Sequence, residues 1–143
     1  MENNYFVKVV LDEGAIMPNS AHDPDAGYDL FCRDEEVIVP ARGSAEFDTG
    51  VHMALVGRTG GMLYPKSGLN IKHDILSFGL IDVGFTGPIR VKLYNLGDKD
   101  YTVKRGDKIT QIVFVRIDKP ALLLCDELEA TERGDGGFGS TGR

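Results

Sequence analysis

The 143-residue sequence is long enough for one domain with a buried core. Its 42% hydrophobic content excludes disorder throughout, and its net charge of −6 argues against general nucleic-acid binding, which needs a basic surface. A small anion can still bind at a local cluster of cations. Residues 1–10 lack a basic flank and a long apolar run, so we expect no signal peptide, no membrane span and a cytoplasmic location. Two cysteines, Cys32 and Cys125, are too few for a disulfide framework, and we expect reduced thiols.

Short runs rich in Val, Ile, Tyr and Phe recur along the chain, separated by Gly, Pro, Asp and Asn. In residues 89–93 apolar and polar side chains alternate, which places one face of a strand on a core. Several short strands with frequent turn signals predict a β-sandwich, a jelly roll or a barrel. The strands predicted in this way cover residues 5–11, 36–40, 51–56, 87–95 and 108–117. Residues 67–75 favour a short helix, with Ser67 as its N-cap.

The C-terminal segment RGDGGFGSTGR, residues 133–143, contains five glycines. It is close to a P-loop, but Ser140 occupies the position of the required Lys, and the strand and helix that flank a P-loop are missing. Glycines still allow successive N–H groups to converge on an anion, and Arg133 offers a planar fork for phosphate. Phe138 can stack on a base. The alternative is a disordered tail without a ligand.

Two internal segments could supply the rest of an anion site. In residues 65–70, the Lys66 cation precedes a possible helix start at Ser67, which favours an anion; an ordinary turn is the alternative. In residues 106–114, Gln111 interrupts an apolar run and is either a ligand or an ordinary surface side chain.

A third segment, residues 79–95, is predicted to form a hairpin with turn signals at Gly84 and Gly87. Asp82 directly follows an apolar pair in this segment. A carboxylate in such a place can act as a general base, or it can cap the turn at the end of a strand.

These segments, together and in this order, closely resemble the five ordered motifs of the trimeric dUTPases, the deoxyuridine triphosphate nucleotidohydrolases. The resemblance spans essentially the whole chain, and five motifs in one order are far more specific than any one of them. The five motifs are residues 26–30, 65–69, 79–95, 106–111 and 133–142.

The resemblance implies an all-β fold, a jelly roll or distorted barrel of the β-clip type, assembled as a homotrimer. It implies a core of residues 1–131 and a flexible glycine-rich arm, residues 132–143, that closes over sites built from more than one chain. The implied activity is hydrolysis of dUTP to dUMP and pyrophosphate, with Mg²⁺ as cofactor, through attack of water on the α-phosphorus. This reaction keeps uracil out of DNA and supplies dUMP for thymidylate synthesis.

The resemblance also implies individual roles. Asp82 activates the attacking water, and Phe85, at a position where the family usually has Tyr, packs on the deoxyribose and excludes a 2′-hydroxyl. The backbone between Gly79 and Arg90 reads uracil, and Phe138 stacks over it. The phosphate ligands are Lys66 (usually Arg in the family), Ser67, Gly68, Gln111, Arg133, Gly139, Ser140 and Thr141, and Asp29 lies near the outer shell of the metal.

Two other interpretations remain open at the level of sequence. A dCTP deaminase shares the implied fold, but we find no second motif of the deaminase type and the chain is short for that family. A nucleotide-gated regulatory protein on the same scaffold, with or without catalysis, would add a protein partner. An assay of turnover separates these functions.

Overall fold

The computed structural model describes residues 5–139 and residue 142, and these residues form eleven short strands and one short helix. Each of the five predicted strand runs contains a strand. The elements in chain order are β1 (Lys8–Leu11), β2 (Tyr28–Phe31), β3 (Glu36–Val39), β4 (Ser44–Asp48), β5 (Val51–Ala54), β6 (Thr59–Tyr64), α1 (Ser67–His73), β7 (Ile75–Ser77), β8 (Gly79–Ile81), β9 (Arg90–Asn95), β10 (Tyr101–Lys104) and β11 (Lys108–Arg116).

The strands pair antiparallel in four small sheets. The largest has the order β2-β11-β6-β8, the next has the order β4-β9-β7, and the other two are the pairs β1-β5 and β10-β3. The expectation of a mainly β chain is therefore confirmed. The four sheets do not close into a single barrel within the described residues.

Strand β9 shows why the sequence folds in this way. Val91 and Leu93 are buried, whereas Arg90, Lys92 and Tyr94 on either side of them are exposed, as the alternation predicts. Burying one such aliphatic side chain stabilises the fold by roughly 1.5–3 kcal/mol. In the core, the Thr110 hydroxyl lies 2.8 Å from that of Ser77 and donates to the Tyr64 carbonyl at 2.8 Å, which ties β11 to β7 and β6.

The predicted hairpin over residues 79–95 is wrong in its strand pairing. Strand β8 pairs with β6, whereas β9 pairs with β7 and β4, so the two ends of the segment belong to different sheets. Strand β8 packs closely on β6. A Cβ atom at Gly79 would lie only 2.9 Å from Leu63 Cδ1, so a larger residue there would require the Leu63 side chain to shift.

Helix α1 confirms the predicted short helix but not its cap. The N-cap residue is Lys66, which has extended backbone and makes no side-chain cap hydrogen bond, and Ser67 is the first helical residue. The helix ends at His73, and its C-cap Asp74 lies in the left-handed region, where the Asp74 N–H bonds to the carbonyls of Leu69 and Asn70. Within the part of the chain that the structure describes, no helix is long and apolar enough to cross a membrane.

Candidate active site

One half of the candidate site is a cluster of two lysines around a buried carboxylate. Asp29, on β2, is only 4% exposed. Its Oδ1 lies 2.5 Å from Lys66 Nζ, and its Oδ2 lies 3.3 Å from Lys108 Nζ. Two ammonium groups against one carboxylate leave a net positive charge at this place, and both lysine side chains retain solvent access. The cluster can therefore attract an anion while its internal pairing fixes the lysine heads.

Gln111 lies beside this cluster, because β11 runs between β2 and β6. It is opposite Asp29 on one side and Tyr64 on the other, and its Nε2 donates to the Pro65 carbonyl at 3.2 Å. Gly27 allows this close packing, since a Cβ atom there would lie 2.8 Å from the Ile112 carbonyl oxygen. The first, second and fourth motifs thus meet at one edge of the sheet.

The start of α1 adds backbone N–H groups to this edge. Ser67 and Gly68 are exposed, and a Cβ atom at Gly68 would meet nothing within 4 Å. Sequence reasoning placed Lys66, Ser67, Gly68 and Gln111 in one phosphate site. It did not single out Lys108, which reads as an ordinary lysine at the start of a strand until β11 is paired with β2.

The other half of the candidate site is the turn after β8. Phe85 N–H donates to the Asp82 carbonyl at 3.2 Å, and Gly84 between them has a φ of 87°, which a type II turn requires at that position. The Phe85 ring is about half exposed and folds back over the turn. A Cβ atom at Gly87 would lie 2.8 Å from Phe85 Cζ, so glycine makes room for the ring.

The Asp82 carboxylate is exposed and, among the described residues, has neither an ion-pair partner nor a hydrogen-bond donor. It therefore does not serve there as a cap for its turn. Asp82 lines a cleft of about 570 Å³ with the apolar side chains Leu80 and Ile117 and the cations Arg58 and Lys119. Arg58 is partly neutralised by its ion pair with Asp118. Neither cation was predicted from the sequence as part of a site.

The two halves lie at opposite edges of the four-stranded sheet. Asp29 is on β2 and Asp82 follows β8, so three strand spacings separate them across the sheet. The register adds three residues along β6, from Tyr64 beside Gln111 to Gly61 beside Ile81, and Asp82 lies one residue beyond Ile81. With strands ~4.8 Å apart and ~3.3 Å per residue, the separation is on the order of 20 Å. The structure of one chain does not bring Asp82 to the lysine cluster.

Arg90 and the C-terminal segment also lie apart from the cluster. Arg90 Nε pairs with Glu46 Oε1 at 2.6 Å on the exposed face of β9 and β4. Arg133 Nε donates to the Gly136 carbonyl at 2.8 Å, so the described tail residues bond locally. Phe138 is fully exposed. Gly139 has a positive φ of 80°, and Ser140 and Thr141 lie outside the described residues.

The fit of a metal to this chain is limited. Within residues 5–139 and residue 142, no three His, Cys, Asp or Glu side chains come close enough to hold a metal ion. Both Asp29 oxygens already face lysine ammonium groups. A Mg²⁺ ion near this site would therefore depend on oxygen ligands from a substrate and from water, which suits its reluctance to dehydrate.

Comparison with known proteins agrees with the family resemblance of the sequence motifs. The dUTPase family model matches residues 13–142. A probable deoxyuridine 5'-triphosphate nucleotidohydrolase of Schizosaccharomyces pombe is 43% identical over 140 residues, which cover 97% of this chain and 99% of the relative.

Solved structures share the fold. The dUTPase of Staphylococcus bacteriophage 80alpha with dUPNHPP has a TM-score of 0.85 at 29% identity and covers 96% of this chain and 99% of its own. A mutant dUTPase of phage phi11 of S. aureus, described for its coordination of a structural Mg(II) ion, has a TM-score of 0.80 at 27% identity and covers 88% of this chain and 100% of its own. With the family model matched over nearly its whole length, the chain belongs to the dUTPase family.

Proposed function

We propose that this protein hydrolyses dUTP to dUMP and pyrophosphate, with Asp82 as the general base. Water attacks the α-phosphorus, its proton passes to the Asp82 carboxylate, and the bond from the α-phosphorus to the bridging oxygen of pyrophosphate breaks. Family membership supports the reaction. The exposed carboxylate of Asp82, unpaired among the described residues and beside the apolar side chains of its cleft, supports the role of base.

The proposed site is assembled from more than one chain. The distance between its two halves within one chain is the observation that supports this assembly. A base must lie within hydrogen-bond reach of the attacking water, and reacting atoms must approach to ~3–3.5 Å. A separation on the order of 20 Å within one chain is far too large for that. Asp82 of one copy therefore meets the lysine cluster of another. The number of copies, three, and the jelly-roll closure of the sheets follow from the resemblance.

In this proposal the lysine cluster binds the triphosphate. Lys66 and Lys108 supply charge, Gln111 and the backbone at Ser67 and Gly68 supply hydrogen bonds, and Asp29 holds the lysine heads in place. Mg²⁺, bound to phosphate and water oxygens, would neutralise further charge on the triphosphate, with Asp29 no closer than its outer shell.

Selectivity is assigned to the turn after β8. The Phe85 ring, held against Gly87, forms a wall on which a deoxyribose can pack and a 2′-hydroxyl cannot. The backbone from Gly79 to Arg90 reads uracil through main-chain groups. Discrimination by such a wall and by unpaired polar groups is large, so UTP and dCTP are poor substrates.

The arm, residues 132–143, is proposed to cover the bound nucleotide while residues 1–131 form the core. Arg133 and Gly139, with Ser140 and Thr141, would bind the γ-phosphate, and Phe138 would stack on uracil. The full exposure of Phe138 supports this, because a large apolar ring without contacts is available for a ligand. Ordering the arm only around substrate excludes water during the reaction. A cytoplasmic location would place the activity with the nucleotide pool.

Mixed subunits test both the base and the shared site. Asp82→Asn should lower kcat by about 10²–10⁴-fold, because the amide cannot accept a proton. A Lys66→Ala/Gln111→Ala variant should lose triphosphate binding. If the variants are unfolded together and refolded at a 1:1 ratio, roughly one quarter of the shared sites receive both intact halves and regain activity.

No recovery in the mixture, with both variants folded, would place the two halves in one chain and overturn the shared site. Near-normal kcat in Asp82→Asn would move the base elsewhere, and Asp23→Asn, at an exposed position, controls for loss of a charge. Binding of dUTP without turnover by the unmodified chain would favour the regulatory alternative. Preferred turnover of dCTP would favour the deaminase.

A further inference from the structure

His52 connects the turn that carries Phe85 to the N-terminal strand. Its Nδ1 lies 2.6 Å from the Thr86 carbonyl oxygen, and its Nε2 lies 3.0 Å from Asp12 Oδ2. Strand β1 runs beside β5 with Val10 opposite His52, so Asp12 lies diagonally across on the same face. The backbone of Asp12 is itself fixed, because its N–H donates to the Gly50 carbonyl at 2.8 Å.

Both groups that face the imidazole are acceptors. A backbone carbonyl and a carboxylate only accept hydrogen bonds, whereas a neutral imidazole has a single N–H. A neutral His52 can therefore satisfy one of the two contacts and turns a lone pair toward the other. Only the imidazolium donates to both.

The surrounding charges favour the same state. The Thr86 carbonyl, then the Asp12 carboxylate, raise the pKa of His52 above the usual 6.5, and Asp48 of β4 adds to the rise. Asp48 is itself paired with Arg33 at 3.3 Å. Partial burial opposes the rise. Lys8, two residues before Val10, lies diagonally across from His52 on the same face of the β1-β5 pair.

The turn has two further tethers, which are backbone bonds at its two ends, one to Leu55 just after β5 and one to β5 itself. Gly84 N–H donates to the Leu55 carbonyl at 3.4 Å, and Ile89 N–H donates to the Val51 carbonyl at 2.8 Å. Thr86 lies between these points, directly between Phe85 and the Gly87 on which the ring rests. The His52 contact thus restrains the part of the turn that sets the position of the ring.

We propose that His52 is a positioning residue for the Phe85 turn, and that its protonated ring fixes this turn against β1 and β5. The inference rests on the proposed function in one respect, that Phe85 contacts the sugar of the substrate. As pH rises through the His52 pKa, the turn loosens, the KM for dUTP rises and the preference for dUTP over UTP falls. The kcat changes less, because His52 touches no reacting group.

The first test needs no substrate. NMR titration of the His52 ring in the intact protein should give a pKa above 6.5, and Asp12→Asn, which removes the charge but keeps an acceptor, should lower it. A His52 that titrates at or below 6.5 in the unmodified protein would overturn the proposal. His22, an exposed histidine, is the internal reference.

The second test separates the two bonds of His52 by kinetics. His52→Asn can still donate to the Thr86 carbonyl, whereas His52→Leu cannot. We expect the Asn variant to keep a low KM for dUTP that no longer depends on protonation at position 52. The Leu variant should have a KM raised by about 2- to 10-fold at acidic pH, which is the range for the loss of one hydrogen bond. The nucleotide phosphate titrates in a similar range, so the comparison is between variants at each pH.

An identical KM profile in His52→Leu and the unmodified protein would refute the positioning role. Failure of the underlying function looks different. An unchanged ratio of dUTP to UTP turnover in Phe85→Ala, with the His52 pKa still raised, would overturn the contact between Phe85 and the sugar. His22→Asn should leave all of these values unchanged.

Discussion

Replacement of Asp29 by Asn is the sharpest test of the lysine cluster. The change keeps the shape of the side chain and removes its charge. It leaves Lys66 and Lys108, whose side chains are 27% and 45% exposed, with like charges and no carboxylate between them. Both stability and anion binding should respond, because one group holds both lysine heads.

The expected loss of stability follows from burial. Removing one partner of a fully buried ion pair costs ~3–5 kcal/mol. Here the carboxylate is buried but both lysines retain access to water, so much of the released charge can be solvated and we expect a loss of roughly 1–3 kcal/mol. For a chain of this size, with about 2–4 °C per kcal/mol, the Tm should fall by roughly 2–12 °C.

Thermal unfolding at fixed protein concentration measures this, with Asp23→Asn as the matched control at an exposed position. A double-mutant cycle with Lys66→Gln isolates the 2.5 Å pair and should give a coupling energy of about 0.5–3 kcal/mol. A Tm equal to that of the control, together with zero coupling, would show that the cluster contributes nothing to the fold. The reasoning from its burial would then be refuted.

Three further predictions concern the turn, the thiols and the arm. Gly87→Ala should displace the Phe85 ring, since the new Cβ would lie 2.8 Å from Phe85 Cζ, and should therefore lower the preference for dUTP over UTP. An unchanged ratio of dUTP to UTP turnover would contradict this packing. Iodoacetamide should modify exposed Cys125 quickly and buried Cys32 only on unfolding, because burial is the main cause that raises the pKa of the Cys32 thiol. Equal rates of modification of the two thiols by mass spectrometry would contradict this prediction. A chain that ends at Glu132 should keep its Tm and lose dUTP turnover, and full activity would exclude a role for the arm.

The strands that the sequence revealed are those with apolar runs or alternation, such as β9 and β11. Strand β6 was missed because Gly60 and Gly61 resemble a turn signal. In the fold they allow close packing, since a Cβ atom at Gly61 would lie 2.9 Å from Ile112 Cδ1 and one at Gly60 would lie 2.8 Å from Ile117 Cγ1. Strands β7 and β8 have three residues each, which is too short for periodicity to be read.

The candidate site, like the fold, could be predicted from the sequence only in part. The motifs predicted a phosphate site that includes Lys66 and Gln111, but not that Lys108 shares the Asp29 carboxylate with Lys66, because that contact depends on the pairing of β11 with β2. The cap of α1 was wrong for a tertiary reason. Local propensity favours Ser67 as N-cap, whereas the pairing of Lys66 with Asp29 accompanies an extended backbone at Lys66, which becomes the N-cap, so the helix starts one residue earlier than predicted.

Exposed leucines after β11 connect the association of chains with completion of the active site. After β11, four leucines in the segment before the arm are 85–97% exposed in the single chain. Burying one of them would contribute roughly 1.5–3 kcal/mol, so a chain that keeps all four in water is a poor final state. The same chain holds Asp82 and the lysine cluster on the order of 20 Å apart. We infer that association covers the leucines and brings the two halves of the site together, so that activity at high dilution should fall in step with dissociation of the oligomer. The four leucines are Leu122, Leu123, Leu124 and Leu128.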